Sequence, residues 1–162
     1  MQTAYFAGGC FWCVEAVFQR IQGVDLVESG YCNGSTIDPT YQDICTGSSG
    51  HAEVVKITFD ETIVSFEDLL QVFFATHDAT TLNQQGNDRG TQYRSAVFYT
   101  SNEQQTQAKQ FIEKLGVNIV TEVTELDVFY PAEDYHQNYY NNNPDQPYCA
   151  MLITPKLDKY FK

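Results

Sequence analysis

Two cysteines flank a Phe-Trp pair directly after two glycines in the segment AGGCFWCVE, residues 7–15. A thiol at the turn into a helix lies near unpaired backbone N–H groups and the positive end of the helix dipole. That position lowers the pKa of a thiol and favours the nucleophilic thiolate. Cys10 is therefore a candidate nucleophile, with a small buried thiol as the ordinary alternative.

Cys13 has three interpretations. It lies three positions after Cys10 on the first helical turn, so the two thiols could form a disulfide like that of thioredoxin-type dithiols. A zinc site would need a second close pair, but Cys32 and Cys45 are thirteen positions apart without a flanking ligand pattern. A thiol packed against a sheet is the third interpretation. The pattern argues against a metal site and leaves redox and packing roles open.

Candidate proton donors follow in later segments. His51 and Glu53 alternate at the start of HAEVVKITFD, a predicted strand, so they point to one face. Burial beside valines and aromatic residues would raise the pKa of the Glu53 carboxyl and make it a usable acid. An exposed carboxylate at a strand end is the common alternative. Further polar candidates, each also explicable as a loop hydrogen-bonding residue, are Tyr41, Asp88 and Tyr93.

Composition limits the class of protein. With 162 residues, 43% of them apolar, the chain suits one domain, residues 1–162, with a real core. The net charge of −12 and the scattered nine Lys and Arg argue against nucleic acid or an anionic membrane as partners. No leader peptide or membrane-length apolar run occurs, so a cytoplasmic setting is expected. Five cysteines, an odd set, suit thiol chemistry better than a disulfide scaffold.

The elements that would position these residues follow from apolar periodicity. Strands are predicted at 4–7, 24–31, 51–60, 91–100 and 118–123, and helices after Cys10, Ser65 and Ser101. Two long irregular segments, 32–50 and 76–90, separate them, and packed coil is expected from Phe129 onward. The pattern predicts an α+β two-layer sandwich with a ferredoxin-like core. Its sheet would be mixed or antiparallel, with helices on one side and a long C-terminal coil.

Five motifs occur in order along nearly the whole chain: GGCFWCVE, SGYCNG, PTYQDICTGSSGHAEVV, QGNDRGTQYRSA and AEDYHQNYY. Together they resemble the peptide-methionine (S)-S-oxide reductases, the methionine sulfoxide reductase A family. Two departures, GYCNG where the family often has GYxGG and HDATT where it has HDPTT, lie in loops.

The resemblance implies an enzyme that reduces methionine-S-sulfoxide, free or in oxidised proteins, and so repairs oxidative damage. Cys10 would attack the sulfoxide sulfur, and Glu53 would protonate the sulfoxide oxygen. Tyr41 and Tyr93 match two hydroxyl donors to that oxygen.

The resemblance also assigns residues around the reacting groups. Asp88 matches a polar residue that orients the site or a water. Phe11 and Trp12 match the aromatic wall around the substrate methyl group. His51 is expected to bond locally in its loop.

The resemblance also implies how the enzyme would be recycled. Attack leaves Cys10 as a sulfenic acid, a second thiol condenses with it to a disulfide, and thioredoxin reduces that disulfide. Cys149 matches the recycling position of many family members and is slightly favoured, because a mobile tail could bring it to Cys10. Cys13 is the alternative, and Cys32 and Cys45 are expected to be bystanders. No cofactor or metal is implied, and a monomer is expected. A general dithiol oxidoreductase and a zinc-binding module are the lower-ranked alternatives.

Overall fold

A six-stranded mixed sheet forms the centre of the fold in a computed structural model that describes residues 1–161. The strands in chain order are β1 (Gln2–Ala7), β2 (Val24–Cys32), β3 (Ala52–Phe59), β4 (Gln84–Gln85), β5 (Asp88–Arg89), β6 (Ala96–Tyr99), β7 (Glu122–Glu125) and β8 (Tyr130–Pro131). They lie across the sheet in the order β7-β6-β1-β3-β2-β8, while β4 and β5 pair separately as a short hairpin.

Helices and helical turns connect the strands and form the C-terminal segment. The α-helices are α1 (Phe11–Phe18), α2 (Tyr41–Cys45), α3 (Phe66–Thr76), α4 (Asn102–Leu115), α5 (Tyr139–Asn142) and α6 (Thr154–Tyr160). Two 3₁₀ turns span Thr91–Tyr93 and Asp134–His136, and a π-helical turn spans Cys149–Ile153. Within the described residues, no helix is long and apolar enough to cross a membrane.

The strand order confirms the predicted α+β class with a ferredoxin-like centre. Strands β6, β1, β3 and β2 are antiparallel neighbours in that order. α1 connects β1 to β2, and β3 lies between these two strands. α3 lies between β3 and β6 in the chain, and β1 lies between these two strands in the sheet. α4 then leads to β7, which pairs in parallel with β6 and makes the sheet mixed. The N-terminal end of α1 and the first residues of β3 therefore meet at one end of the sheet, which positions the candidate site.

The main core lies between the sheet and its helices. Phe6 of β1 stacks on Phe73 of α3 with ring centroids 4.8 Å apart, and Phe18 of α1 packs 5.6 Å from Phe6. The opposite face of the sheet carries a smaller apolar cluster, which Leu126 and Phe129 cover. The predicted capping box at Ser65 is present, since its side chain accepts from the Asp68 N–H. These contacts keep α1 and α3 on the same face of the sheet.

The structure corrects three local predictions. The segment after Phe129 is not coil, because burial of Ile153 and Leu157 holds the C-terminal turns against the core. Residues 32–50 include the short helix α2, which begins with a capping box between Thr40 and Asp43. The strand predicted at 91–100 begins only at 96, because Gly90 adopts a φ of 137° and starts a 3₁₀ turn. The helix α2 and the late start of β6 both depend on capping and turn-forming residues, which apolar periodicity does not detect.

Candidate active site

Cys10 lies at the N-terminal boundary of α1, and its carbonyl oxygen accepts the first helical hydrogen bonds, from the N–H groups of Cys13 and Val14. The preceding glycine has a φ of +91°, a conformation that L side chains rarely adopt. A Cβ at Gly9 would also come within 2.7 Å of Cγ of Gln85. The glycine pair thus allows the chain to turn tightly into α1 with Cys10 at the rim of a cavity.

Glu53 lies beneath this turn on β3 and is only 2% exposed. Its Oε1 accepts a 3.1 Å hydrogen bond from the backbone N–H of Phe11, the residue after Cys10. Burial raises the pKa of the carboxyl to about 8. The hydrogen bond from Phe11 lowers this pKa, and the charge of Asp88 raises it, but burial has the largest effect. The predicted rise is therefore confirmed, and Glu53 is mainly protonated at neutral pH.

The Cys10 thiol has a raised pKa, so the expectation of a thiolate stabilised by the helix dipole is wrong for this ground state. Burial is the main cause, and the negative charge of Glu53 adds to it. The backbone N–H of Trp12 lowers the pKa but does not outweigh these effects. α1 has only eight residues, and no cation is among the main causes that set the thiol pKa. Desolvation therefore dominates the helix-end field.

Tyr41 and Tyr93 approach the same place from two different loops. Tyr41 begins α2, with its hydroxyl next to the thiol of Cys45, and Tyr93 ends a 3₁₀ turn. Burial raises the pKa of each phenol, and the charge of Glu53 raises both further. The charge of Cys10 also raises the pKa of Tyr93. Both phenols are therefore protonated donors within electrostatic reach of the acid.

Asp88 is placed by the small β4–β5 hairpin. Its Oδ2 accepts a 2.6 Å hydrogen bond from the hydroxyl of Tyr148, a contact that the sequence did not indicate. Cys10, Cys13, Asp88 and Tyr148 together line a cavity of about 210 Å³. The hairpin and the C-terminal segment thus close over one side of the Cys10 thiol.

The two aromatic residues of GGCFWC have different surroundings. Trp12 is partly exposed, stacks on Tyr139 with ring centroids 3.8 Å apart and donates its indole N–H to Nδ1 of His136 at 3.0 Å. Phe11 is 1% exposed and packs against Tyr31 and His136 at centroid distances of 5.6 and 5.2 Å. Of the predicted pair, only Trp12 offers a partly open face, while Phe11 belongs to the wall behind it.

Sequence reasoning missed several residues of the C-terminal segment that contact the site. Glu133 accepts hydrogen bonds of 2.9 Å from the Tyr31 hydroxyl and the Tyr41 backbone N–H. His136 is buried and accepts from Trp12, so its proton lies on Nε2, which has no partner within the described part of the chain. Both residues lie in the motif AEDYHQNYY, which indicates the family but does not indicate which of its side chains contact the site.

The candidate resolving cysteines are both buried close to the site. Cys149 is fully buried at the start of the π-helical turn, and Cys13 is 7% exposed. Burial raises the pKa of Cys149, and the charge of Cys13 raises it further. Both thiols belong to the same buried core cluster. The segment that carries Cys149 packs against the core in this structure, in contrast to the mobile tail that was expected. All five thiols are free.

The remaining cysteines and His51 lie around this site in different ways. Cys32 is buried in the cluster on the opposite face of the sheet, whereas Cys45 is exposed beside Tyr41. His51 is buried and its Nε2 lies 2.6 Å from the carbonyl oxygen of Thr36, the local loop contact that was predicted. In the described part of the chain, no three His, Cys, Asp or Glu side chains are grouped to hold a metal ion.

Known proteins resemble this chain along nearly its whole length. The model of the family described as peptide methionine sulfoxide reductase matches residues 2–162. A peptide methionine sulfoxide reductase MsrA of Ruthia magnifica subsp. Calyptogena magnifica is 68% identical over 161 residues, covering 99% of each chain.

Solved structures have the same fold. Methionine sulfoxide reductase A of Corynebacterium diphtheriae has a TM-score of 0.83 and 36% identity, covering 88% of this chain and 75% of that one. Mxr1 from Saccharomyces cerevisiae in complex with Trx2 has a TM-score of 0.60 and 22% identity, covering 85% and 84%, a likeness of fold alone. This chain belongs to the methionine sulfoxide reductase A family of oxidoreductases.

Proposed function

We propose that this chain reduces methionine-S-sulfoxide, free or in oxidised proteins, with Cys10 as nucleophile and Glu53 as acid. The observation that carries the proposal is the 3.1 Å hydrogen bond from the Phe11 N–H to Glu53, which places a buried, mainly protonated carboxyl beside the nucleophile. A sulfoxide oxygen leaves only when it is protonated. A neutral carboxylic acid within reach of a thiol suits this requirement.

The proposed reaction begins with attack of the Cys10 thiolate on the sulfoxide sulfur. Glu53 gives its proton to the sulfoxide oxygen, and the hydroxyls of Tyr41 and Tyr93 donate hydrogen bonds to that oxygen as the S–O bond weakens. The oxygen is transferred to the Cys10 sulfur, methionine leaves, and Cys10 becomes a sulfenic acid. Phe11 and Trp12 hold the substrate S-methyl group, a role that the partly open face of Trp12 supports. Asp88, held by the Tyr148 hydroxyl, orients the polar groups of the site.

A second thiol then condenses with the Cys10 sulfenic acid, releasing water and forming a disulfide. Cys149 is the proposed partner and Cys13 the alternative, because Cys13 lines the Cys10 cavity and Cys149 directly follows Tyr148, which also lines it. A thioredoxin-like dithiol would reduce this disulfide and return both thiols. The Mxr1–Trx2 complex supports such a partner through its shared fold. Since every turnover consumes reducing equivalents, we propose the cytoplasm as the compartment, with residues 1–162 acting as one catalytic unit.

The test is turnover of the separated S and R epimers of a blocked methionine sulfoxide, with dithiothreitol or thioredoxin as reductant. Reduction of the S epimer alone, lost in Cys10→Ser, is the expected result. A matched control is Cys32→Ser, which changes a thiol in the cluster on the opposite face of the sheet. Equal reduction of both epimers, or full turnover by Cys10→Ser, would show that the proposal is wrong.

A further inference from the structure

A second, larger cavity adjoins the one that contains Cys10. It has a volume of about 540 Å³, and its polar lining consists of Thr76, His77, Asp78, Gln85, Lys156 and Lys159. Gln85 and Lys156 also line the Cys10 cavity. The two cavities therefore share a border and form one cleft that leads away from the nucleophile between α3, the β4–β5 hairpin and α6.

The side chain of Gln85, which lines both cavities, makes hydrogen bonds within the protein. Its Oε1 accepts from the Asp78 backbone N–H at 2.8 Å, and its Nε2 donates to the Asp78 carbonyl oxygen at 2.9 Å. Both polar ends of its side chain are thus occupied. Gln85 is held in place by these two bonds and forms a fixed wall of the cleft.

The acidic and imidazole groups of the second cavity are likewise engaged. The Oδ1 of Asp78 accepts from the backbone N–H and the hydroxyl of Thr80. The ring nitrogens of His77 lie 2.6 Å from the Phe73 carbonyl oxygen and 2.7 Å from Oγ of Ser95. Burial lowers the pKa of His77 to about 4, so the ring is neutral at physiological pH. His77 therefore supplies no cation to the cleft, and the Asp78 carboxylate, whose pKa the Thr80 hydrogen bonds lower, adds one negative charge to its lining.

Lys156 and Lys159 are the uncommitted cations of this cleft, and together they outweigh the single negative charge of Asp78. They lie three positions apart on α6, so both face the same side of the helix. Within the described residues, neither ammonium makes an ion pair, and the salt bridge found there joins Arg94 to Glu122. Lys156 is partly buried, so its side chain is held at the cleft more closely than that of exposed Lys159. Two of the nine Lys and Arg of an acidic chain thus line this cleft, and Lys156 also lines the cavity of Cys10.

We propose that this cleft binds a carboxylate of the substrate, with Lys156 and Lys159 as its cationic partners. The carboxylate is an acidic side chain near the oxidised methionine or the α-carboxylate of a free or C-terminal methionine sulfoxide. The inference rests on the proposed function, since it needs a sulfoxide at Cys10. Lys156 lines the cavity of Cys10 itself, and successive Cα atoms are about 3.8 Å apart, so the carboxylate lies within a few residues of the sulfoxide.

The net negative charge of the molecule makes a preference for substrates with a carboxylate measurable. A net charge of −12 repels acidic peptides at long range, so a preference for a carboxylate must come from local cations. A partly exposed ion pair changes binding by up to about fivefold at low salt, and two lysines act on the same carboxylate here. Screening at high salt removes most of that difference.

The experiment compares kcat/KM for blocked peptides that carry methionine-S-sulfoxide and either Glu or Gln at each position up to three residues on either side. The expected result is an about threefold or greater preference for Glu at one or more of these positions in low salt. In Lys156→Gln and in Lys156→Gln/Lys159→Gln, this ratio should fall to near one. Lys109→Gln on α4 is the matched control, because Lys109 is exposed and lines neither cavity, and it should keep the ratio of the unaltered enzyme.

A second pair of substrates separates the two sources of the carboxylate. N-acetyl methionine-S-sulfoxide and its amide differ only in the α-carboxylate. A preference for the acid that is lost in Lys156→Gln assigns the cleft to that group, and a preference confined to the Glu peptides assigns it to a side chain.

A Glu-to-Gln ratio near one in the unaltered enzyme, together with equal use of the acid and the amide, would overturn the carboxylate site. A preference that survives the double substitution would overturn it as well. In both cases reduction of the Gln peptides would leave the proposed function standing. An enzyme that reduces none of these S-sulfoxides would instead refute the proposed function, and the cleft assignment with it.

Discussion

The backbone N–H of Phe11 donates a 3.1 Å hydrogen bond to Oε1 of Glu53 across a separation of 42 positions in the chain. This bond joins the first turn of α1 to the first residues of β3, so the proposed acid is held beside the residue that follows the proposed nucleophile. Because Oε1 is occupied as an acceptor, the proton of the neutral carboxyl lies on Oε2. That oxygen is the one free to donate to a substrate.

Replacing Glu53 by Gln tests the electrostatic link between the acid and the thiol. The Glu53 charge raises the pKa of Cys10, so Glu53→Gln should lower that pKa while slowing sulfenic acid formation by about 10²- to 10⁴-fold. Alkylation of Cys10 as a function of pH, followed by mass spectrometry, measures the pKa, and single-turnover quenching measures the rate. An unchanged Cys10 pKa would contradict the link.

The pH dependence of sulfenic acid formation follows from the order of the two pKa values. The productive form has a Cys10 thiolate and a protonated Glu53, whereas the Glu53 pKa of about 8 lies below the raised Cys10 pKa. The rate should therefore rise through about pH 8 and fall above the pKa of Cys10. Glu53→Gln should keep a rising limb and lose the falling one. A falling limb that remains in this variant would assign it to another group.

The identity of the resolving cysteine is open to direct mapping. After one turnover without reductant, we expect a Cys10–Cys149 disulfide, and Cys149→Ser should accumulate sulfenic acid that dimedone traps. Cys10 and Cys13 share the tryptic peptide that ends at Arg20, while Cys149 lies in the one that ends at Lys156. An internal bridge in the first peptide would name Cys13 instead, and Cys13→Ser is the matched control.

His136 should position Trp12, because its Nδ1 accepts the indole N–H at 3.0 Å. His136→Leu leaves that donor unpaired, which costs about 1–3 kcal/mol when the group is buried. We expect kcat/KM for the sulfoxide to fall about tenfold, with a shift in the fluorescence of the single tryptophan of the chain. His136→Asn restores an acceptor near the Nδ1 position and should recover both readouts. Recovery of neither would assign the loss to packing alone.

Glu15 should make the folded protein less stable as the pH rises. Its carboxyl is 1% exposed, and burial raises its pKa from 4.5 to about 7. The folded state therefore binds more protons than the unfolded state between these values, so the free energy of unfolding falls as the pH rises from 4.5 to 7. Glu15→Gln should match the natural protein at pH 4 and exceed it at pH 8, by up to about 3 kcal/mol.

Urea unfolding at the two pH values measures this difference directly. Exposed Glu67 on α3 provides the control Glu67→Gln, which should show no comparable dependence on pH. A Glu15→Gln variant that is less stable than the natural protein at pH 8 would mean that the carboxylate makes stabilising contacts when charged.

Local patterns were sufficient for the class of fold and for the central elements. Apolar periodicity and the Ser65 cap located α3, and the alternation in HAEVVKITFD located β3. These signals depend only on residues that are close together in the chain, so they can be recognised in the sequence without knowledge of the tertiary structure. The C-terminal turns were missed because burial of Ile153 and Leu157 against distant helices, and not local propensity, maintains them.

The sequence by itself determined which residue types are available for chemistry: a thiol at a glycine turn, a carboxyl on a strand, two phenols and the order of motifs that marks the family. Only the tertiary structure decided their electrostatic state. Cys10 has a raised pKa, not a lowered one, because burial and Glu53 outweigh a short helix. It also decided that Tyr148 holds Asp88 and that Lys156 of α6 lines the Cys10 cavity. Burial and contacts between distant segments depend on the folded chain, and no local pattern encodes them.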